Sequence, residues 1–129
     1  MPVYNPPLRD MQFVMHEVLN VCDDFRAMPV HAEVDADTIN AVLEEAGKFA
    51  AQVVFPLNIS GDTEGCQLDQ TTHEVKTPTG FKAAYKQYVE AGWAALSCDP
   101  AFGGQGLPLV VNQCLYEMLN SANQAWTMY

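Results

Sequence analysis

Residues 38–55 read TINAVLEEAGKFAAQVVF, and their periodicity decides the fold class. Ile39, Val42, Leu43, Ala46, Phe49, Ala50, Val53 and Val54 recur at the spacing of one helix face and form a continuous apolar stripe. Asn40, Glu44, Glu45, Lys48 and Gln52 fall largely outside it, as they must if that face is to leave water. Asp35 and Asp37 compete as N-caps, because either carboxylate can accept the unpaired amides of a first turn. Pro56 limits the helix at its other end.

Toward the amino terminus, DMQFVMHEVL at 10–19 places Met11, Val14, Met15 and Val18 on one helix face, and Pro6 and Pro7 block an earlier start. The polar interval that follows predicts a short helical turn and a loop. Toward the carboxy terminus, residues 58–77 change character: Gly61 and Gly65 read as turn residues, and weak alternation in CQLD and HEVKT predicts a small hairpin. So small a hairpin needs helices to lie on. A third helix is expected from near Thr77 or Thr79, with Pro78 in its first turn, Phe81, Ala84, Tyr85, Tyr88 and Val89 on its stripe, and Gly92 as its stop. A last helix begins near Pro108 and carries Val111, Leu115, Met118, Ala122, Ala125 and Tyr129. Its stripe meets no stop signal, so Trp126, Met128 and Tyr129 are expected to lie loose and apolar, and the chain reads as the front part of a longer protein. The expected fold is all-α, about four main helices in an orthogonal or up-down bundle with at most a small β-hairpin.

The 129 residues suffice for one domain with a real core. Six Lys plus Arg against 16 Asp plus Glu give a net charge of −10, which makes nucleic acid a poor partner and disfavours tight binding of any polyanion by this chain alone. Cys22, Cys66, Cys98 and Cys114 form no CxxC pair and have no histidine at metal-ligand spacing, so reduced thiols and no metal are expected. The opening MPVYNPPLRD has no signal-peptide pattern, and the longest apolar stretch, FAAQVVFPL, falls far short of the roughly 20 residues a membrane span requires. A cytoplasmic protein without a membrane span is the expectation.

Residues 101–108, AFGGQGLP, raise the question of a phosphate cradle. A dinucleotide fingerprint needs GxGxxG after a strand, and a P-loop needs a Lys and a Ser or Thr after its last glycine. Here Gly104 and Gly106 supply one GxG, position 109 is Leu, and no Lys follows, so the stretch reads as a tight bend between helices. Glu117, the lone carboxylate of the last helix, reads as solvated or locally paired rather than as a general base. His16 reads as a half-buried or helix-pairing histidine, and His31 and His73 fall in loops. Trp126 and Tyr129 suit either a core or a ligand pocket, with core as the default.

The ordered run PLN, SGDTEGCQLD, TPTGFKAAYKQYVEAGWAAL, DPAFGGQGLP and a helix with YEMLNSANQAW resembles the amino-terminal helical domain of the acyl-CoA dehydrogenase family. The opening YNPPLRDMQFVMHEVL resembles the extension found in the longer bacterial branch of that family, which includes 3-methylmercaptopropionyl-CoA dehydrogenases. On this resemblance residues 1–34 are an extension with the first helix and 35–129 the amino-terminal helical domain, with the β-domain to follow. The resemblance implies an FAD-dependent α,β-dehydrogenation of an acyl-CoA thioester, an electron-transfer acceptor, a homo-oligomer, and a glutamate base in a carboxy-terminal bundle. This chain ends before that bundle, so it is expected to be inactive alone, to contribute no catalytic residue and to hold no FAD by itself. Gly103, Gly104 and Gly106 match the family's bend, and Glu117 matches a helix glutamate that is not the base. Trp126, Thr127 and Tyr129 match the part of the last helix that approaches the acyl tail, which makes them the candidate substrate-binding residues. The competing expectation is a non-catalytic helical interaction module that uses the last helix.

Overall fold

The computed structural model describes residues 3–128. Helix α1 (Leu8–Gln12) passes directly into a π-helical segment, Phe13–Val18, and α2 (Val21–Arg26) follows. Helix α3 (Ala36–Phe49) likewise runs into a π segment, Ala50–Val54, and α4 (Leu57–Glu64) comes after Pro56. Strands β1 (Gln67–Leu68) and β2 (Val75–Lys76) pair antiparallel, with Gln67 opposite Lys76 and Leu68 opposite Val75. Helix α5 (Phe81–Glu90), two 3₁₀ turns at Trp93–Ala95 and Pro100–Phe102, and the long α6 (Leu109–Thr127) complete the chain. The protein is mostly helical with one minimal hairpin, as the periodicities predict.

The stripe on α3 is the centre of the core. Ile39, Leu43, Ala46, Phe49, Ala50 and Val54 are buried, Val42 and Val53 pack at its margin, and Asp35 wins the capping competition by accepting the Thr38 amide at 2.8 Å. Helix α6 lies along α3 and α4 and contributes Val111, Leu115, Met118, Leu119 and Ala122. The first helix packs on α3 through Met11 and Met15, and His16 Nε2 meets the Asn40 side-chain oxygen at 2.9 Å, so this histidine joins two helices.

Several elements depart from the periodicity reading. The first helix starts at Leu8, and Val14 and Val18 are exposed although Met11 and Met15 are buried. A π turn holds more residues than an α turn, so positions four apart stay aligned while positions three apart diverge. The Leu19 amide accordingly reaches back five residues to the Val14 carbonyl at 2.8 Å. Gly61 is not a turn residue: it lies inside α4, buried, because the Phe81 ring passes where a side chain would be, 2.6 Å from an added Cβ. The hairpin forms as expected, yet both strands are exposed. Helix α5 begins at Phe81 rather than near Thr77 or Thr79, with Gly80 before it at φ +91°, and it buries only Ala84 and Tyr88 while Tyr85 and Val89 face outward.

The bend at 101–108 is tight, and its backbone is fully engaged. The amides of Phe102, Gly103, Gly104, Gln105, Gly106 and Leu107 donate to the carbonyls of Asp99, Pro100, Asp99, Ala95, Cys98 and Leu96 at 2.9–3.1 Å. A Cβ on Gly104 would lie 2.0 Å from the Cys98 carbonyl oxygen, so that position admits only glycine. The Gln105 side chain closes the turn by donating to the Gly92 carbonyl at 2.9 Å.

Candidate functional site

Helix α6 contains a kink that the sequence pattern hides. Asn123, buried, has φ −162° and ψ 91°, its side-chain oxygen accepts the Trp126 amide at 3.1 Å, and its side-chain nitrogen faces the Val54 carbonyl at 3.4 Å. The kink resets the helix phase. Ala125, expected on the stripe, is exposed, and Trp126 turns inward.

Trp126 is therefore not the loose aromatic that the apolar terminus suggests. Its ring lies 5.6 Å from Tyr88 in an edge-on arrangement and 6.2 Å from Phe49, and its indole N–H donates to the Phe81 carbonyl at 3.2 Å. Phe49 also contacts Tyr88 and Trp93, at 6.1 and 6.5 Å, so the aromatic rings of α3, α5 and α6 meet at one place. Such pairs add roughly 0.5–1.5 kcal/mol beyond the area they bury. Met128 remains 63% exposed, and the expectation for Tyr129 lies outside the described residues.

Beside this cluster opens a cleft of about 610 Å³. Of its lining residues Leu119 and Tyr88 are buried, Phe81, Trp126 and Thr127 are half-buried, and Tyr85, Tyr116, Thr77, Val75, Ala94 and Lys82 are exposed at its opening. Trp126 and Thr127, two residues singled out from the sequence, thus stand together in its wall, with the Thr127 hydroxyl donating to the Asn123 carbonyl at 2.9 Å. Burial, with the neighbouring Tyr116 and Tyr85 phenols, pushes the Tyr88 hydroxyl up to about 12, so it is a neutral donor at any ordinary pH. Among the described residues the lining carries no carboxylate. A largely apolar cavity of this size, with Lys82 as its one charged lining residue among those described, suits an aliphatic or aromatic group and offers no carboxylate base.

Tyr85, Tyr116, Leu119 and Lys82 are cleft residues that the sequence reading missed. Phe81, Tyr85 and Tyr88 recur at helical spacing and so read as core. Only the exposure of Tyr85, 57%, distinguishes a rim from a core. Glu117 is exposed on α6, outside the cleft, where its charge joins burial in raising the Cys114 thiol. His31 packs edge-on against Phe25 at 5.9 Å, and His73 is exposed in the hairpin turn at φ +59°. All four cysteines are free thiols. Among the described residues no cluster of His, Cys, Asp or Glu is arranged to hold a metal, and no helix is long and apolar enough to cross a membrane.

No family model matches the chain. It is 38% identical to the 3-methylmercaptopropionyl-CoA dehydrogenase of Ruegeria pomeroyi over 95% of its own length and 20% of that protein. It is 34% identical to a broad-specificity linear acyl-CoA dehydrogenase of Mycobacterium tuberculosis over 98% of its length, and 30% identical to a butyryl-CoA dehydrogenase of Syntrophomonas wolfei over 95%, each match again covering 20% of the relative. The chain spans about a fifth of the length of the curated relatives it matches. The sequence relationship is thus to the acyl-CoA dehydrogenases, and along nearly all of its own length this chain is similar to their amino-terminal fifth.

Proposed function

We propose that this chain forms the acyl-tail side of an FAD-dependent acyl-CoA dehydrogenase, with Trp126 and Thr127 in the wall of the tail pocket. The observation that carries the reading is the cleft itself, which is apolar on its floor and includes both residues. Its relatives' names specify acyl-CoA substrates, and an acyl tail is the part of such a substrate that a mainly aromatic, apolar cleft would take up.

The whole protein, on this reading, carries out α,β-dehydrogenation of a CoA thioester as a cytoplasmic homo-oligomer that passes electrons to an acceptor. FAD supplies the hydride acceptor when bound to that whole protein. On this reading the FAD cradle belongs to the rest of that protein; in support, the amides of the glycine-rich loop already donate to carbonyls of residues 95–100, and among the described residues the cleft has no carboxylate to take the α proton. What this chain does is exclude water from the tail and fix its position, through Tyr88, Leu119 and the anchored Trp126. Residues 1–34 are an extension whose first helix braces α3, and residues 35–129 are the helical domain proper.

The purified 129-residue chain, mixed anaerobically with FAD and a saturated acyl-CoA, should leave the flavin absorbance unchanged. Bleaching would overturn the division of labour. The coding sequence beyond Tyr129 is the second test: a β-rich segment followed by a helical bundle supports the enzyme, whereas an immediate stop codon favours the non-catalytic interaction module.

A further inference from the structure

We propose that Lys82 is the anion anchor of the aromatic cleft, so that the cleft's ligand is an amphiphile with its apolar tail on the floor and an anionic group at the mouth. The proposal rests on the acyl-pocket reading above and adds a specificity-determining residue to it.

The chain has only six cations against 16 carboxylates. Arg9, Arg26, Lys48 and Lys86 are each held by a carboxylate, Glu17, Asp23, Glu45 and Glu90 respectively. Among the described residues Lys76 and Lys82 have no carboxylate within ion-pair distance. Both border a groove of about 550 Å³ under the hairpin, and Lys82, with Val75 and Thr77, is shared between that groove and the aromatic cleft. The acids of the groove are Asp69 and Glu74. Asp69 already accepts the Thr71 and Thr72 amides, at 2.7 and 2.9 Å. Lys76 is near enough to Glu64 to strengthen its acidity.

Among the described residues Lys82 is therefore the one ammonium in the lining of the apolar cleft. A net charge of −10 disfavours anions over the chain as a whole, so a cation at the mouth biases both the orientation and the charge of what enters. The anionic group could be a carboxylate on a free fatty acid or a phosphate of a CoA ester. Both have the chemistry that an ammonium recognises.

The test uses the full 129-residue chain, with octanoate, octanoyl-CoA and octanol titrated by calorimetry against the wild type, Lys82→Gln and Leu119→Trp. Circular dichroism checks that both variants fold. Octanoate should bind about fivefold more tightly than octanol at low salt, in keeping with an exposed ion pair, and Lys82→Gln should erase that preference while leaving octanol unchanged. A larger effect of Lys82→Gln on octanoyl-CoA than on octanoate would assign the anion to the CoA phosphates, and the reverse would assign it to a carboxylate. An unchanged preference in Lys82→Gln would overturn the anchor while leaving the tail pocket intact, provided Leu119→Trp weakens all three ligands. Absence of binding by all three ligands to the wild type, or indifference to Leu119→Trp, would overturn the pocket reading and the anchor with it.

Discussion

The indole N–H of Trp126 donates to the carbonyl oxygen of Phe81 at 3.2 Å, tying the end of α6 to the start of α5 across 45 residues of sequence. The bond caps no helix and pairs no strand. It fixes the distance between the two helices that wall the cleft, and so the width of the cleft itself.

Trp126→Phe keeps a ring against Tyr88 and Phe49 but leaves the Phe81 carbonyl to water. It should lower stability by about 1 kcal/mol, while Trp126→Ala, which also removes the ring contacts, should cost about 3 kcal/mol. Urea unfolding of the two variants measures the difference. Equal losses would show that the hydrogen bond contributes nothing.

Asn123→Ala removes the side chain that accepts the Trp126 amide and faces the Val54 carbonyl. A loss of about 1–3 kcal/mol is expected, because the Val54 carbonyl and the Trp126 amide are left without their partner. Helix α6 should straighten, returning Ala125 to the stripe and swinging Trp126 outward. A red shift in tryptophan emission, measured in a Trp93→Phe background, reports that movement.

Gly104→Ala should be among the most damaging single changes on the surface. The added carbon would overlap the Cys98 carbonyl, and relief requires breaking the hydrogen bonds that link Ala95–Asp99 to Gly104–Leu107. The expected cost is at least about 2 kcal/mol, whereas Gly103→Ala, with open space around the new carbon, should lose less despite its φ of +85°. Thermal melts of the pair test this order.

Alkaline titration probes Tyr88. Its folded-state value is raised from 10.0 to about 12 by burial, so the folded protein holds the phenolic proton more tightly than the unfolded chain. Stability from this group is complete below about pH 10 and drains away as pH rises toward 12. The Tyr88→Phe variant should show a shallower loss of melting temperature across that window.

Acid acts outside the cleft, where the end of α4 meets the segment before α5. The Glu64 carboxylate accepts from the Thr79 amide at 2.8 Å and from its hydroxyl at 3.1 Å, and these bonds hold its acidity above the ordinary value for a glutamate. A lowered value means that its stabilisation is complete above the unfolded value of 4.5 and is lost as pH falls through the folded one. Glu64→Gln should therefore lose stability near neutral pH and converge with the wild type in acid, a comparison that pH-dependent melting makes directly.

The sequence by itself determined the parts of this protein that depend on local periodicity and covalent stiffness. The stripe of residues 38–55 specified a helix because only that geometry puts Ile39, Leu43, Ala46 and Phe49 on one side, and every stripe position is at least partly buried. The same logic gave the last helix, a cap at Asp35 or Asp37, the hairpin and the glycine-rich bend, and the structure chose Asp35. It failed where distant segments meet. The ring of Phe81 over Gly61 and the kink at Asn123, whose side chain meets the Val54 carbonyl, each answer to a neighbour far along the chain, and the π segment that turns Val14 and Val18 outward has no signal in a plain helical period. The cleft belongs to this second class: Tyr85 and Leu119 carry the same local signal as any core residue. What holds Trp126 in the wall beside Tyr88 is the packing of α6 against α5, through its ring on Tyr88 and its bond to the Phe81 carbonyl, contacts between residues that no short window of sequence contains.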